Sequence, residues 1–304
     1  MKNGTKRALI TATVCTVAGL CIMLLALACI GFQIKEVGGM KTQTNTHTIQ
    51  EPFSAIDIKT VSADVSILPA EDGVCRVECR ETDQITHTVA VEGGRLTVRE
   101  KDDRRWFERL GFFGFSPLAV TLYLPEETYG PLAVSTVSGK IELSDALCFG
   151  NTVLDTTSGS ITSPAKVNGS LTATTVSGSV SLSHQSGGEV RASTTSGSIT
   201  LSGIQATTLS ASTTSGSITM TDATAAAALR AESVSGRLSL TRVDGAQISL
   251  STVSGGITAS LRTGKTFSHS TVSGKVDLPP SVAGAGPCHV ETVSGSIHVT
   301  VEEA

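Results

Sequence analysis

Serine and lysine side chains supply the few patterns in this sequence that could carry catalysis. The segment SPAK at 163–166 has the Ser-x-x-Lys spacing of an acylating serine, but the accompanying SDN and KTG motifs are missing. The segment GKT at 264–266 ends like a phosphate-binding loop, yet Ala259 stands where that loop has its first glycine. The many Ser-Gly pairs have no base placed beside one serine in particular. The sequence therefore predicts no catalytic residue.

Histidine, cysteine and acidic residues show no spacing typical of a metal or cofactor site. The calcium-binding nonapeptide of β-rolls is missing. We expect surface or packing roles for the histidines, which are His47, His87, His184, His269, His289 and His298. On one strand face Cys75 and Cys79 would lie about 13 Å apart, too far for a disulfide. They and Cys148 and Cys288 are expected to be small buried side chains, and no metal or cofactor is expected.

A polysaccharide-active enzyme is the catalytic alternative, because β-helices can carry such sites on one outer face. Such a site needs clustered carboxylates and bases. The charged residues expected at outward repeat positions are scattered instead, and they are Lys140, Glu142, Arg237, Lys275 and Asp277. The sequence therefore favours a protein without enzymatic activity.

A nine-residue motif, STTSGSITL in one copy, recurs nine times in the second half of the chain. Its glycines follow one another at intervals of 19 to 21 residues, and they are Gly139, Gly159, Gly178, Gly197, Gly216, Gly236, Gly255, Gly274 and Gly295. So regular a period is typical of repeat architectures, in which each unit buries its apolar face by stacking on its neighbours. Such a core suits a chain with only 4% aromatic residues.

Alternating apolar residues inside each unit predict strands rather than helices. Positions seven and five before the glycine and two and four after it are largely apolar, so the inward-facing parity changes at the Ser-Gly pair. A corner or bulge there explains the change, and the preceding Ser and Thr are expected to form hydroxyl ladders that bond the corner's backbone. We predict an all-β fold, a single-stranded, right-handed parallel β-helix, or solenoid, with rungs stacked in chain order.

The solenoid is expected to begin before the clear repeats. FSAIDIKTVSADVSIL at 53–68 reads as a degenerate copy with Ala63 in the glycine position, and further strands are predicted at CRVEC, THTVAV, RLTVRE and AVTLYLP, with a hairpin turn at 92–94. We therefore assign 53–130 to an N-terminal β region that caps the solenoid and 131–304 to the repeats. Residues 33–52 are expected to be a linker.

An uncharged stretch of 25 residues at 8–32 predicts a transmembrane helix. Lys2, Lys6 and Arg7 precede it, so residues 1–7 are expected in the cytoplasm and the remainder outside. Two alternatives stay open, since Ala26-Leu27-Ala28 resembles a signal-peptidase site: lipidation at Cys29, or cleavage and secretion. Beyond residue 7 the chain has 20 bases against 27 acids, so no nucleic-acid partner is expected.

Aromatic residues cluster between the β region's last two predicted strands. Trp106 is the only tryptophan, and the cluster also holds Phe107, Phe112, Phe113 and Phe115. Either these residues cover the open end of the solenoid, or they form an exposed tip that contacts a partner or a membrane.

The anchor, the degenerate TVSADVSIL copy, the LYLP segment and the TxSGxIxL units together resemble the bacterial putative-adhesin family, a membrane-anchored domain of unknown function. The likeness covers about residues 53–301. It implies a β-solenoid without catalytic residues and a role in surface attachment or envelope-stress systems. We therefore expect a non-enzymatic, adhesin-like envelope protein with a protein or glycan partner outside the cell or in the membrane. The alternative is an envelope-sensing protein that acts through membrane partners.

If the aromatic cluster contacts lipid, replacing Trp106, Phe112 and Phe113 with serine should abolish liposome binding by the protein's extracytoplasmic part. Exposed aromatic side chains are the groups that insert into a bilayer interface. Co-sedimentation with liposomes measures the effect, and unaltered binding would exclude a lipid contact at this cluster.

Overall fold

A computed structural model describes residues 42–104 and 118–302, where the regular elements are all β-strands. Within those two ranges no helix is long and apolar enough to cross a membrane. The predicted anchor at 8–32, the lipidation candidate Cys29 and the aromatic cluster between Trp106 and Phe115 lie outside the described residues.

Two long sheets are built from strands that stack across the coil. The first sheet has, in spatial order, β1 (Thr42–Thr48), β4 (Arg76–Thr82), β7 (Ala119–Leu124), β3 (Asp64–Pro69), β9 (Ile141–Leu143), β12 (Ile161–Ser163), β15 (Val180–Ser183), β17 (Ile199–Ser202), β19 (Ile218–Thr221), β21 (Leu238–Ser254), β22 (Ile257–Leu261), β26 (Ile297–Val301) and β24 (Val276–Asp277).

The second sheet has, in spatial order, β5 (Ile85–Glu92), β6 (Arg95–Asp102), β2 (Ala55–Lys59), β8 (Leu132–Thr136), β11 (Thr152–Thr156), β14 (Leu171–Thr175), β16 (Ser186–Thr194), β18 (Gln205–Ser215), β20 (Thr224–Ser235), the second half of β21, β25 (Pro287–Ser294) and β23 (Thr266–Ser273). A short third face includes β10 (Cys148–Phe149) and β13 (Lys166–Val167). All strand pairs of the repeat region are parallel, so the predicted β-solenoid is confirmed.

The core follows the predicted change of parity. In β16 and β17, Val190, Ala192 and Ile199 are buried, as are the matching positions one rung away in β18 and β19. Their neighbours along each strand point outward. Because the sheets face each other across this column of Ile, Val, Leu and Ala, each rung buries its apolar side chains against the rungs on either side.

The corner between the sheets is held by a hydroxyl three residues before the repeat glycine, except at Gly274, where Thr271 Oγ1 has no hydrogen-bond partner. Thr156 Oγ1 donates to the carbonyl of Gly139 at 3.1 Å and accepts the backbone N–H of Gly159 at 3.1 Å. The bond to the carbonyl one rung away recurs at 2.9–3.1 Å for Thr175, Thr194, Thr213, Ser233, Thr252 and Thr292. The ladder is thus confirmed for this position, where one side chain ties the corner backbone of two rungs, whereas the Ser directly before each glycine is exposed.

The repeat glycines lie where a neighbouring backbone leaves no room for a Cβ atom. A Cβ on Gly197 would sit 1.9 Å from the carbonyl oxygen of Gly178, which cannot withdraw because it accepts the Thr194 hydroxyl. The same approach to within 1.8–2.1 Å of the adjacent rung's carbonyl occurs at Gly139, Gly159, Gly178, Gly216, Gly236, Gly255, Gly274 and Gly295. Close stacking therefore requires glycine at all of these positions, and at Gly274 a φ of 151° is a second reason.

Rung order departs from chain order at both ends of the described solenoid. The rung of β2 and β3 lies between the outer rung of β6 and β7 and the rung of β8 and β9. At the other end β25 and β26 are inserted between β21–β22 and the terminal rung of β23 and β24. The expected stacking in chain order is therefore wrong at the ends.

Apolar content explains the order at the C-terminal end. The inserted rung places Cys288, Val290 and Ile297 inward, and all three are buried. The rung that precedes it along the chain has His269 where the inserted rung has Val290, and His269 is exposed. Burial on both sides stabilises the apolar rung more, so the polar rung takes the end.

Before the repeats the chain forms the predicted strands, which are joined by three antiparallel pairings. β5 and β6 form the hairpin expected from the turn at 92–94, with Gly93 and Gly94 at φ 56° and 72°. β4 pairs antiparallel with β7, and β1 pairs with β4. β1 lies inside the segment predicted to be a linker. Its Thr-rich sequence alternates no apolar residues, so only its pairing with β4 makes it a strand.

Replacing Ile199 with Asp should lower the free energy of unfolding by more than about 4 kcal/mol, because an unpaired carboxylate would enter a fully buried position. The control is Thr200→Asp, one residue along the same strand and exposed, which should cost less than about 1 kcal/mol. Urea-induced unfolding measures both. Equal stability of the two variants would contradict the inward assignment.

Replacing Gly197 with Ala should destabilise the protein by roughly 2–4 kcal/mol, since the added methyl overlaps the Gly178 carbonyl. Gly188→Ala is the matched control: its Cβ would meet nothing closer than 3.6 Å, so its stability should change by less than about 1 kcal/mol. Thermal melts compare the pair. A Gly197 variant as stable as the control would show that the corner does not require close stacking.

Candidate functional site

A surface made only of hydroxyl side chains covers four successive rungs of the first sheet. We call it the hydroxyl face, and its residues are Ser160, Thr162, Ser179, Ser181, Ser198, Thr200, Ser217 and Thr219. They occupy positions one and three after the glycine, on either side of a buried residue, and therefore point outward. None of them carries a charge.

Parallel pairing sets the spacing of these hydroxyls. Thr162 lies beside Ser181, which lies beside Thr200, which lies beside Thr219. Adjacent strands are about 4.8 Å apart and alternate residues of one strand about 6.6 Å apart. Each hydroxyl offers one donor and two acceptor lone pairs. The face can therefore make a regular grid of hydrogen bonds to a neutral, polar partner.

The outer surface of the second sheet also carries hydroxyls, but charges interrupt it. Ser212 Oγ donates to Ser193 Oγ at 3.2 Å, so hydroxyls of adjacent rungs are in bonding distance. Arg230 and Glu232, both on β20, form an ion pair. Burial raises the pKa of Asp155, although a hydrogen bond from Thr174 acts to lower it. The hydroxyl face is therefore the more uniform of the two surfaces.

The charged residues considered for a polysaccharide-active site lie on separate rungs. Lys140 and Glu142 belong to the rung of β9, and Arg237 to the rung that begins β21. Lys275 and Asp277 lie on the terminal rung, where Asp277 Oδ2 contacts His298 Nδ1 at 3.0 Å. The fold does not bring these groups together into one cluster of acids and bases.

The SPAK and GKT fragments do not form catalytic arrangements in the fold. Ser163 is buried, whereas Lys166 is exposed on a different strand. Lys265 is buried and its Nζ lies 2.6 Å from Asp244 Oδ1, so it is an ion-pair partner in the fold. Burial acts to raise the pKa of Asp244, but hydrogen bonds led by that of Lys265 outweigh it and lower the pKa. Neither fragment forms a catalytic or phosphate site.

Near the Lys265–Asp244 pair, a ladder of ion pairs joins the turns of three rungs. Asp222 accepts hydrogen bonds from Arg242 Nε at 2.6 Å and from Arg262 Nη2 at 3.0 Å. The hydrogen bond from Arg242 lowers the pKa of Asp222. Asp222 and Arg242 have φ of 53°, so these turns place charged side chains in a left-handed conformation. We interpret the ladder as a structural staple of the solenoid.

A shallow groove of about 540 Å³ lies beside the Lys265–Asp244 ion pair, where strands β16, β18 and β20 begin. Its lining is mostly small, with Gly187, Ala206, Ala225 and Gly245, and Lys265 at one end. Small side chains give few groups that could orient a ligand. The groove is therefore a weaker candidate than the hydroxyl face.

One group of possible metal ligands among the described residues was missed by the sequence analysis. Cys79, Glu81 and His87 are all buried and offer ligand atoms within 4.8 Å of one another. Spacing rules could not find them, because they lie on two strands that come together only in the fold. A signal was present in the alternation, since Glu81 occupies an inward position two residues after buried Cys79.

Burial disfavours the thiolate form of three of the free cysteines. It raises the pKa of Cys75 to about 11 and those of Cys79 and Cys288 to about 12, with the charge of Glu81 adding to the effect at Cys79. A thiol in that state is a poor nucleophile. Cys79 and Cys288 are buried, as predicted, whereas Cys75 and Cys148 are half-buried.

Several solved structures are similar to this chain. A putative adhesin from Bacteroides fragilis is 16% identical, with 85% of this chain and 97% of that chain covered and a TM-score of 0.45. For a putative adhesin from Parabacteroides distasonis the values are 14%, 86%, 98% and 0.45. For a putative lipid binding protein from the same species they are 17%, 86%, 97% and 0.42. No curated protein matches the chain.

A family match covers the solenoid and its N-terminal cap. The family is described as Toastrack DUF4097, and the match extends over residues 53–300 of the 304. It spans the degenerate first copy, the β5–β6 hairpin and all nine glycine repeats. The chain therefore belongs to the Toastrack DUF4097 family.

Proposed function

We propose that this chain is a non-enzymatic, adhesin-like protein of the cell envelope, and that its hydroxyl face binds a neutral, hydroxyl-rich polymer such as a glycan. The observation that carries the proposal is the uncharged hydroxyl grid of Ser160 to Thr219 on four adjacent rungs. A grid that repeats every rung is suited to a partner that also repeats.

The composition of the face favours a glycan over a protein partner. Protein interfaces are enriched in aromatic residues, methionine and arginine, which supply most of their binding energy. The hydroxyl face has none of these residues. Individual neutral hydrogen bonds add only about 0.5–1.5 kcal/mol each, so useful affinity requires many of them along one polymer. The rigid stacking of the rungs holds the hydroxyls in place and lowers the entropy cost of such binding.

The same proposal places the solenoid outside the cytoplasmic membrane, with the chain held by the helix expected at 8–32. The support is the uncharged sequence of that segment and the three basic residues that precede it. To test this placement, cysteines are introduced on the hydroxyl face, and intact cells are treated with a membrane-impermeant thiol reagent. Labelling only after lysis would contradict it.

The binding test compares two four-site variants of the full-length protein. The first, Ser198→Ala, Thr200→Val, Ser217→Ala and Thr219→Val, removes four hydroxyls from the centre of the hydroxyl face. The control, Thr172→Val, Ser210→Ala, Ser249→Ala and Ser251→Ala, removes four from the second sheet. We expect the first to bind neutral envelope and host-surface glycans at least about tenfold more weakly than wild type, since four hydrogen bonds are lost.

Retention on immobilised glycans gives the relative affinities, and circular dichroism checks that both variants remain β-structured. Equal binding by wild type and the first variant, or an equal loss in the control, would refute the assignment of this face. Co-purification of one membrane protein with wild type, but not with the first variant, would show that the partner is a protein.

A further inference from the structure

A buried polar cluster lies at the N-terminal end of the core, apart from the hydroxyl face. Cys79 and Glu81 are at inward positions of β4, His87 is inward on β5, and Glu100 is inward on β6. The side chains of Glu81 and Glu100 are 2% exposed and that of His87 is fully buried. Charged and titratable groups are seldom enclosed in this way unless they are paired or bind an ion.

Glu81 is the centre of the cluster. Its Oε1 contacts His87 Nδ1 at 3.0 Å and also accepts the backbone N–H of His87. Its Oε2 accepts a hydrogen bond from Asn45 Nδ2 at 2.5 Å, which fixes the carboxylate from the β1 side. The Cys79 sulfur completes a set whose ligand atoms all lie within 4.8 Å of one another.

The second ring nitrogen of His87 has no hydrogen-bond partner. His87 Nε2 is buried, and the Oε2 atom of Glu100 stands 3.9 Å away, too far for a hydrogen bond. Glu100 itself is held in place, because its Oε2 accepts the backbone N–H groups of Val61 at 2.7 Å and Ser62 at 3.2 Å. His87 thus lies between two fixed carboxylates and is bonded to only one of them.

We propose that Cys79 Sγ, Glu81 Oε1 and His87 Nδ1 form a site for a divalent zinc ion. Zinc binds thiolate, imidazole and carboxylate ligands at about 2.0–2.3 Å, which places neighbouring ligand atoms of a tetrahedron roughly 3.3–3.8 Å apart. The three ligand atoms lie within 4.8 Å of one another, which exceeds the tetrahedral spacing by about 1 Å. The softer sulfur and nitrogen donors favour zinc over magnesium or calcium, which prefer oxygen ligands alone.

Glu100 takes the orienting role in this site. A histidine that binds zinc through one nitrogen commonly donates its other N–H to a carboxylate, which fixes the ring and raises its basicity. With Nδ1 on the ion, the Nε2 proton of His87 points to Glu100, and a movement of about 1 Å closes the bond. Cys79 gives up its proton when the ion binds. Three protein ligands leave the fourth position to a water molecule.

The enclosure of the site indicates a structural ion. Ligands with such small exposure admit no substrate, whereas an ion would join β4 and β5 to each other and, through Glu100 on β6, to the corner of the first rung. Because these strands close the end of the stack, the ion would stabilise the cap of the solenoid.

The test uses the full-length protein stripped with chelator and then titrated with Co²⁺ and Zn²⁺. We compare wild type with Cys79→Ser, and Cys288→Ser is the matched control because it alters a buried cysteine outside the cluster. We expect one Co²⁺ per chain with a thiolate charge-transfer band in wild type and the control, and no such band in Cys79→Ser. Zinc should bind Cys79→Ser at least tenfold more weakly, and Glu100→Gln about 10–100-fold more weakly.

Zinc should also raise the melting temperature of wild type and the control but not that of Cys79→Ser, which shows that the bound ion stabilises the fold. The cysteines at positions 15, 21 and 29 are the same in all variants, so only binding that depends on Cys79 counts. A Co²⁺ spectrum identical in wild type and Cys79→Ser, or unchanged zinc affinity, would overturn the proposal and leave the cluster as a hydrogen-bonded network only.

Discussion

The contact on which the solenoid depends is the approach of each repeat glycine to the carbonyl oxygen of the adjacent rung. At the nine repeat corners a Cβ would lie 1.8–2.1 Å from that oxygen, so each of these corners requires glycine, whereas the corner of the first copy has Ala63. At Gly159 the Thr156 hydroxyl three residues earlier bonds the same carbonyl and also accepts the glycine N–H, so one side chain satisfies polar backbone groups of two rungs. Steric room and hydrogen bonding at the corner set the register, and the register places Ile, Val and Leu over one another in the core.

Stacked strands leave edges at both ends, and the protein treats the two ends differently. At the N-terminal end β5 and β4 cover the outer rung with antiparallel pairs, and the core there finishes in the buried cluster around Glu81. At the C-terminal end the rung of β25 and β26 lies inside the rung of β23 and β24, although it comes later in the chain. The outermost rung is therefore the more polar one, and its Val272 is 83% exposed. A polar terminal rung discourages further stacking on that edge.

The outward positions are not constrained by core packing or by the corner, so their side chains can form the proposed binding surface. Inward strand positions are largely apolar and the repeat corners combine Gly with a hydroxyl three residues earlier, whereas positions one and three after the glycine are constrained only by the strand backbone. On four adjacent rungs they are all Ser or Thr. The same regularity that holds the core together thus repeats a polar group at each rung, and it makes the surface suitable for a polymer rather than for a small ligand.

Local periodicity in the sequence determined the strands, the inward positions such as Ile199, the corner at each Ser-Gly pair and the hairpin at 92–94, because each depends on residues close together in the chain. Only the tertiary structure decided that β25 lies between β21 and β23, that the Thr-rich β1 is a strand, and that Cys79, Glu81 and His87 meet. Those features depend on competition between segments for burial and on pairing across the fold. A repeat pattern defines what a rung is, but the free energy of burying one rung against another decides where it is placed.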